Sequence, residues 1–532
     1  MGESEARDGT GEEAEEVSRA TTKEARRGLA FAGDFPDSRL SRMYLPKPLP
    51  PSFTVARWVF SRALAAVFFC AFASLLPQVR GLIGARGIAP AAQFLERAWA
   101  QLGAGALWHV PTVCWFGAGD GMLTGLCLAG MVVSLVMAAG VAPGGCSLAL
   151  WALYLSLVSV GSPFLDFQWD GLLLEVALLA ALALPWRLRP QWEEGSPVPR
   201  FARWLLWWLL FRLMFESGVV KLASGDPTWR NLTALDFHFV TQPLPLWTSW
   251  FAHQAPRWML RGVMLILFSF ELLVPWLIFA PRRWRHAGAW ALISLQLVIL
   301  ATGNYAFFNL LTIALCALLF DDTAWPRRWR ERVIPAVHWP VLPRPRLAIV
   351  GAVTALVVAL LSLPPLLAGL GLRVGWPNPL AQLRSFNGYG LFAVMTVRRP
   401  EIIVEGSNDG VIWQEYEFPW KPGAVGVRPR LAAPHQPRLD WQMWFAALGS
   451  WDGNPWFQSF MGRLLEGEPV VLGLLKTNPF PTRPPRYIRS LLYEYHFTRP
   501  GEGGGWWRRE LKGRYSPDLA LAPAAGQKSE AR

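Results

Sequence analysis

Charge is scarce in this sequence, and so are the patterns that carry most enzyme chemistry. Only 17% of the 532 residues are charged, against about 25% in average soluble chains, which argues against an ordinary soluble protein. The five cysteines are Cys70, Cys114, Cys127, Cys146 and Cys316; no CxxC pair occurs and none lies in the last third of the chain. A disulfide framework or a zinc site is therefore not expected. The seven histidines show no metal-ligand spacing to one another. There is no GxSxG elbow, HExxH pair or Walker loop, no apolar signal region at the N-terminus, and no repeat of fixed period. No metal, cofactor or catalytic mechanism is expected from these residues alone.

Long apolar runs stand in their place. Nine candidate spans lie at roughly 54–76, 121–141, 147–164, 171–186, 202–223, 261–280, 287–302, 305–320 and 347–371. About 18 apolar residues suffice to cross a hydrocarbon layer ~30 Å thick. The expected fold is a multi-pass α-helical membrane domain of about nine spans over residues 53–372, followed by a mixed, mainly β extracytosolic domain over 373–517. Residues 1–52 alternate acidic and basic groups with few large apolar ones, as a disordered cytosolic segment does. Residues 518–532 read as a loose tail.

The net charge of +13 comes from arginines that sit mostly between apolar runs, and no nucleic-acid motif accompanies them. The bilayer is the expected partner, and nucleic acid is not. With the N-terminus in the cytosol, the cytosolic connections hold Arg187, Arg189 and Arg200, then Arg282, Arg283 and Arg285, then Arg327, Arg328, Arg330, Arg332, Arg344 and Arg346. The outer connections, 77–120, 165–170, 224–260 and 303–304, are less densely basic. This satisfies the positive-inside rule, and an odd span count sets the C-terminal domain outside the cytosol: the periplasm in a bacterium, the endoplasmic reticulum lumen in a eukaryote. That domain reads as a strand at Glu401–Glu405, a turn at Asn408-Asp409-Gly410, a strand over Val411–Phe418, helices at Trp441–Leu448 and Trp456–Leu465, and a closing strand at Tyr493–Phe497.

Charges inside spans are costly and so mark candidate sites. The fifth span carries Arg212, Glu216 and Lys221; the fourth carries Glu175, the sixth Glu271 and the seventh Gln296. Arg212 and Glu216 are four apart and can pair on one helix face. These residues are read as an intramembrane polar cluster, either fixing helix packing or serving a substrate or a proton. The connection after the fifth span is long and rich in aromatic and polar groups, with Asp226, Trp229, Arg230, Asp236, His238, Gln242 and Pro243. It is either a functional loop or an interfacial aromatic belt. In the C-terminal domain, Asp440 stands where it could cap a helix, and Arg438 where it needs an acidic partner in the domain or on a client. Trp441, Trp444 and Phe445 are candidates for client contact. Removing the domain after about Gly375 is expected to leave the membrane part inserted but to abolish client maturation.

Many ordered segments carry a resemblance. They are Leu82 to Pro90, Ser156 to Gly161, Gly225 to Pro245, Glu271 to Pro275, Asn387-Gly388-Tyr389-Gly390, Tyr416-Glu417-Phe418 with Lys421-Pro422-Gly423, Arg438 to Ala447, Asn478-Pro479-Phe480 and Arg483-Pro484-Pro485. In these the chain resembles the lipase maturation factor family. The resemblance implies a membrane protein that helps secreted lipases, or other exported clients, to fold or assemble. A fainter likeness rests on Phe215 to Leu222 with Trp229 following, which is similar to a stretch of vitamin K-dependent γ-carboxylases. It implies an alternative, an integral-membrane enzyme with Lys221 as base. A transporter is a further alternative that would use the intramembrane charges, although no paired broken helices are evident.

Overall fold

Each of the nine apolar runs folds into a helix, in a computed structural model that describes residues 52–189, 200–334, 345–372, 378–503 and 505–521. The expectations for residues 1–51, for Arg344 and for the tail beyond Leu521 lie outside that range, and the start of the expected loose tail is instead a strand, Leu519–Ala520, paired with Ile488 and Tyr487. The helices are α1 Thr54–Leu75, α2 Asp120–Ala139, α3 Pro143–Val160, α4 Gln168–Ala183, α5 Arg200–Ala223, α6 Arg257–Phe268, α7 Arg282–Thr302, α8 Phe308–Ala317 and α9 Pro345–Gly369. Six are long and apolar enough to cross a membrane: α1, α2, α3, α6 with its continuation to Phe279, α7 and α9.

The remaining three depart for physical reasons. The α5 helix is long enough at 24 residues but carries several charges. With 16 residues, α4 is only about 24 Å long at 1.5 Å per residue, and α8 has ten residues. Both are buried on most sides, as helices apolar all round usually are, so neighbouring helices rather than lipid set their length. A π turn, Ser269–Leu273, and a 3-10 turn, Val274–Phe279, extend α6. Pro275 has no N–H to continue the α ladder there.

The helices run in alternating directions, and the arginine-rich connections collect at one end. Just after α8, Asp322 accepts from the backbone N–H groups of Thr54 and Val55 at 3.0 and 2.8 Å, at the start of α1. Arg282, at the start of α7, bonds Asp321 at 2.5 Å. Trp204, near the start of α5, stacks on Phe279 at 5.6 Å, and Gly351 of α9 lies against Phe201. The opposite end carries the connections between α1 and α2, α3 and α4, α5 and α6, and α7 and α8.

Residues from Pro400 onward build a five-stranded antiparallel sheet in the order β2-β1-β3-β4, with β5 beside β3. The strands are β1 Pro400–Ser407, β2 Gln414–Glu415, β3 Tyr487–Phe497, β4 Trp507–Arg514 and β5 Leu519–Ala520. Helices α10 Arg438–Leu448 and α11 Pro455–Leu465 lie between β2 and β3 in sequence. The hairpin turn stands at Asp409-Gly410, but the strand expected over Val411–Phe418 shrinks to the β2 pair. The Asp409 carboxylate accepts from Val411 N and Ile412 N, both at 2.8 Å, which takes those donors out of the ladder. The β4 strand was not anticipated. Its run of Arg508, Arg509, Glu510, Lys512 and Arg514 looks like a solvated loop, yet Arg509 pairs with Glu415 at 2.7 Å and Lys512 with Glu494 at 3.3 Å.

Candidate functional site

The expected intramembrane cluster resolves into three hydrogen-bonded groups, and the largest is completed from outside the helices. Arg212 donates through Nη2 to Glu175 of α4 and through Nη1 to the Asn387 carbonyl, at 3.0 Å. Glu175 Oε2 accepts from Tyr389 Oη at 2.7 Å and from Asn387 N at 3.1 Å. Glu216 accepts from Tyr389 N at 2.6 Å. The expected Arg212–Glu216 pair is thus corrected. Both residues do face one way, but Asn387-Gly388-Tyr389-Gly390 reaches in from beyond α9 and supplies each with a different partner. A Cβ on Gly390 would stand 2.3 Å from Val220 of α5, so this approach requires glycine.

Lys221 and Glu271 form the second group. Lys221 Nζ donates to both Glu271 oxygens at 2.7 and 2.8 Å and to Ser217 O at 2.8 Å, and it lies 5.4 Å from the Trp229 ring centroid. All three ammonium protons are engaged and both side chains are buried. The nitrogen that the carboxylase-like reading needs free is thus held by three partners of its own. Gln296 belongs to the third group, accepting from Asn309 Nδ2 at 2.8 Å.

The segment after α5 is helical rather than a loop, with short helices Pro227–Arg230, Leu235–Thr241 and Trp247–His253. Asp226 caps the first through Thr228 N at 2.7 Å and accepts from Met395 N at 2.6 Å. Burial raises its pKa, but these N–H groups outweigh burial and hold the carboxyl below its usual range. Trp229 Nε1 donates to Phe392 O at 3.0 Å. His238 contacts Tyr305 Oη at 3.3 Å, and burial, with Lys221 adding, pushes it down to about 4, so it is a neutral imidazole. The Gln242 amide is shared among Phe239 O, Ser249 Oγ and Thr302 O, and Pro243 O accepts from Arg399 at 2.9 Å. Arg230 is exposed, and Asp236 reaches Arg257 at 3.7 Å.

Four of the C-terminal candidates, Arg438, Asp440, Trp441 and Trp444, are buried. Arg438 is buried and donates to Asp170 at 2.8 and 3.0 Å, to Phe164 O at 2.8 Å and to Tyr154 Oη at 3.1 Å. Its acidic partner is therefore at the start of α4, outside its own domain. Trp441 packs 4.7 Å from the Trp169 ring, and Trp444 Nε1 donates to Thr241 O at 2.8 Å. Asp440 does not cap α10, since it sits inside the first turn and turns its carboxylate to Trp420 N and Lys421 N, both at 2.8 Å. Phe445 alone of the aromatic candidates is exposed.

Asp440 supplies a pH test. Burial pushes its carboxyl up to about 6 against the pull of those two N–H groups. A raised carboxyl pKa means that this group's stabilising contribution is full below about pH 4 and is lost as pH rises through about 6. Asp440→Asn keeps the acceptor oxygen and removes the titration. Its stability relative to the native chain should rise by ~3 kcal/mol between pH 4 and pH 7, read as a difference in unfolding temperature in detergent. Parallel curves for the two proteins would refute the assignment.

The seam includes residues that sequence reasoning missed. Asn304 donates to Leu244 O and Arg430 O and accepts from Ala432 N. Gln78 bonds Gln436 O and Arg438 N. Arg399 reaches Val240 O at 2.7 Å. Asp170, Asn304 and Gln78 each stand at a span edge, where a polar residue looks like ordinary interfacial punctuation. The Asn387 motif was visible only through the resemblance. Together these contacts fasten the C-terminal domain to the end of the helix array opposite the arginines. Among the described residues, no group of three His, Cys, Asp or Glu could hold a metal ion.

A family model described as the lipase maturation factor transmembrane domain matches residues 55–327, and one described as the lipase maturation factor C-terminal domain matches residues 385–517. Lipase maturation factor 2 from Homo sapiens is 36% identical over 87% of this chain and 82% of its own. Lipase maturation factor 1 from Bos taurus is 35% identical over 89% of this chain and 91% of its own. No solved structure matches. Matches to both parts of the chain, in sequence order, make the conclusion direct: this multi-pass membrane protein belongs to the lipase maturation factor family.

Proposed function

We propose that this protein is a membrane-bound maturation factor for exported lipases or other exported clients, acting through a C-terminal domain held on the extracytosolic side. The observation that carries the reading is the seam between that domain and the membrane helices. All four connections at one end of the array touch the domain: Gln78 to Arg438, Phe164 to Arg438, Asp226 to Met395, and Asn304 to Ala432. Arg282, Arg283, Arg327 and Arg328 stand at the other end, which the positive-inside rule assigns to the cytosol. Nine spans, counting α4, α5 and α8 with the six long ones, and a cytosolic N-terminus agree with that polarity. The membrane is the inner membrane of a bacterium or the endoplasmic reticulum of a eukaryote.

The Lys221–Glu271 pair weighs against the carboxylase-like alternative, and the Glu175–Arg212–Tyr389 group reads as a clasp rather than a transport path. Orientation is tested with a reporter active only outside the cytosol. Fused after Arg532 it should be active; inserted at Trp329 it should be silent. The reverse pattern would overturn both the polarity and the site of action.

A further inference from the structure

The connection between α1 and α2 has two faces of opposite chemistry. Its first part is gripped by the C-terminal domain. Arg463 Nε donates to Gly87 O at 3.1 Å, Ser459 Oγ to Ile88 O at 2.5 Å, and Arg86 pairs with Glu468 at 3.2 Å. Gly81 lies so close to Val470 and Leu474 that a Cβ there would stand 2.4 Å from the Val470 carbonyl. Its second part begins with the helix Ala91–Leu102, which buries Ala91, Leu95 and Ala98. Beyond that buried stripe the segment turns apolar groups outward: Trp99, Leu102, Leu107, Trp108, Val113 and Phe116, with Phe116 89% exposed and Trp108 52%. Gln93, Glu96 and Arg97 form a separate exposed polar edge.

We propose that Trp99–Phe116 lies in the headgroup and upper acyl region of the bilayer, and that it anchors the C-terminal domain down onto the membrane surface. The occupant of this apolar face is lipid, because the face is continuous with a surface already in lipid. Phe116 stands just ahead of α2, one of the six long apolar helices, whose outward stripe is Leu128, Val132, Leu135 and Val136. The exposed run carries two tryptophans, Trp99 and Trp108, and tryptophan favours the headgroup level. The polar edge is left for water. The C-terminal domain is thus held from two sides, by the buried seam above the helices and by a lipid-seated foot at the rim. A client bound to the domain would be processed at the membrane surface and not free in the surrounding compartment. The lipid assignment itself does not rest on what the client is.

The test uses the full-length protein in its native membranes, with the photoreactive residue p-benzoylphenylalanine placed in turn at Phe116, Trp108 and Glu96. These are exposed positions, so the fold should tolerate the change. Irradiation should give a mass increase equal to one phospholipid at positions 116 and 108 and none at 96. Adducts to another protein or to a second copy of the chain at 116 would overturn the proposal, and so would an absence of adducts there. Equal lipid adducts at all three positions would overturn the two-faced arrangement.

Discussion

Arg438→Ala should destabilise the whole folded unit by ~3–5 kcal/mol, the usual cost of removing one partner from a buried ion pair. Asp170 would stay buried with only Tyr154 Oη and Phe167 N as donors, and the Phe164 carbonyl would lose its donor. Because Arg438 belongs to the C-terminal domain and Asp170 to α4, the loss should appear in both parts at once. Unfolding in detergent, followed separately by protease sensitivity of the C-terminal domain and by solvent access to buried Cys127 of α2, should shift to lower temperature in parallel. Double replacement with apolar groups, Arg438→Met with Asp170→Leu, should recover much of the loss, since well-packed apolar substitutes for buried pairs are often neutral. A single variant with native stability would mean that water reaches the pair.

Cutting the chain after Leu372 should leave a membrane part that is made but not retained. The sequence suggests a separable domain; the hydrogen bonds argue otherwise. Without the C-terminal residues, Glu216 loses Tyr389 N, Glu175 loses Tyr389 Oη and Asn387 N, and Asp226 loses Met395 N. Asp170 loses its arginine as well. A hydrogen bond to a charged group contributes ~1.5–3 kcal/mol. Four carboxylates together therefore approach the ~5–15 kcal/mol that holds an ordinary domain folded. Pulse-chase labelling should show rapid degradation of the truncated chain, several-fold faster than of the full one. A truncated chain as long-lived as the full one would show that the membrane helices stand alone. Supplying residues 373–532 as a separate exported chain should restore part of the lifetime if the seam forms between two pieces.

The helix array was legible because apolar length is a local property. All nine runs contain helices, and only the short reach of α4 and α8 hid their interior position. Partners across the seam were not legible, because hydrogen bonding is blind to sequence distance. Arg212 has Glu216 one turn away, yet it pairs with Glu175, 37 residues off, and with Asn387, 175 residues off. Spacing rules see only the first of these. Trp441 and Trp444 fit an exposed recognition surface by composition, and burial between α4 and the 235–241 helix makes them core. The charges of β4 hid a strand, since each looks solvated until Glu415 and Glu494 are placed beside it. Asp226, by contrast, carried its own signal: aspartate directly before Pro227 is a helix start by local chemistry, even in a segment that reads as a loop.

Whether this protein matures exported clients through a domain welded to its membrane helices is decided in the native host. The protein is deleted, and the activity of secreted lipase is measured per unit of lipase protein. Lipase should still be synthesised but its specific activity should fall; the full chain should restore it, Arg438→Ala should restore it poorly, and the Arg438→Met, Asp170→Leu pair should restore it well. Unchanged specific activity across all exported lipases and other exported enzymes of the host would contradict it.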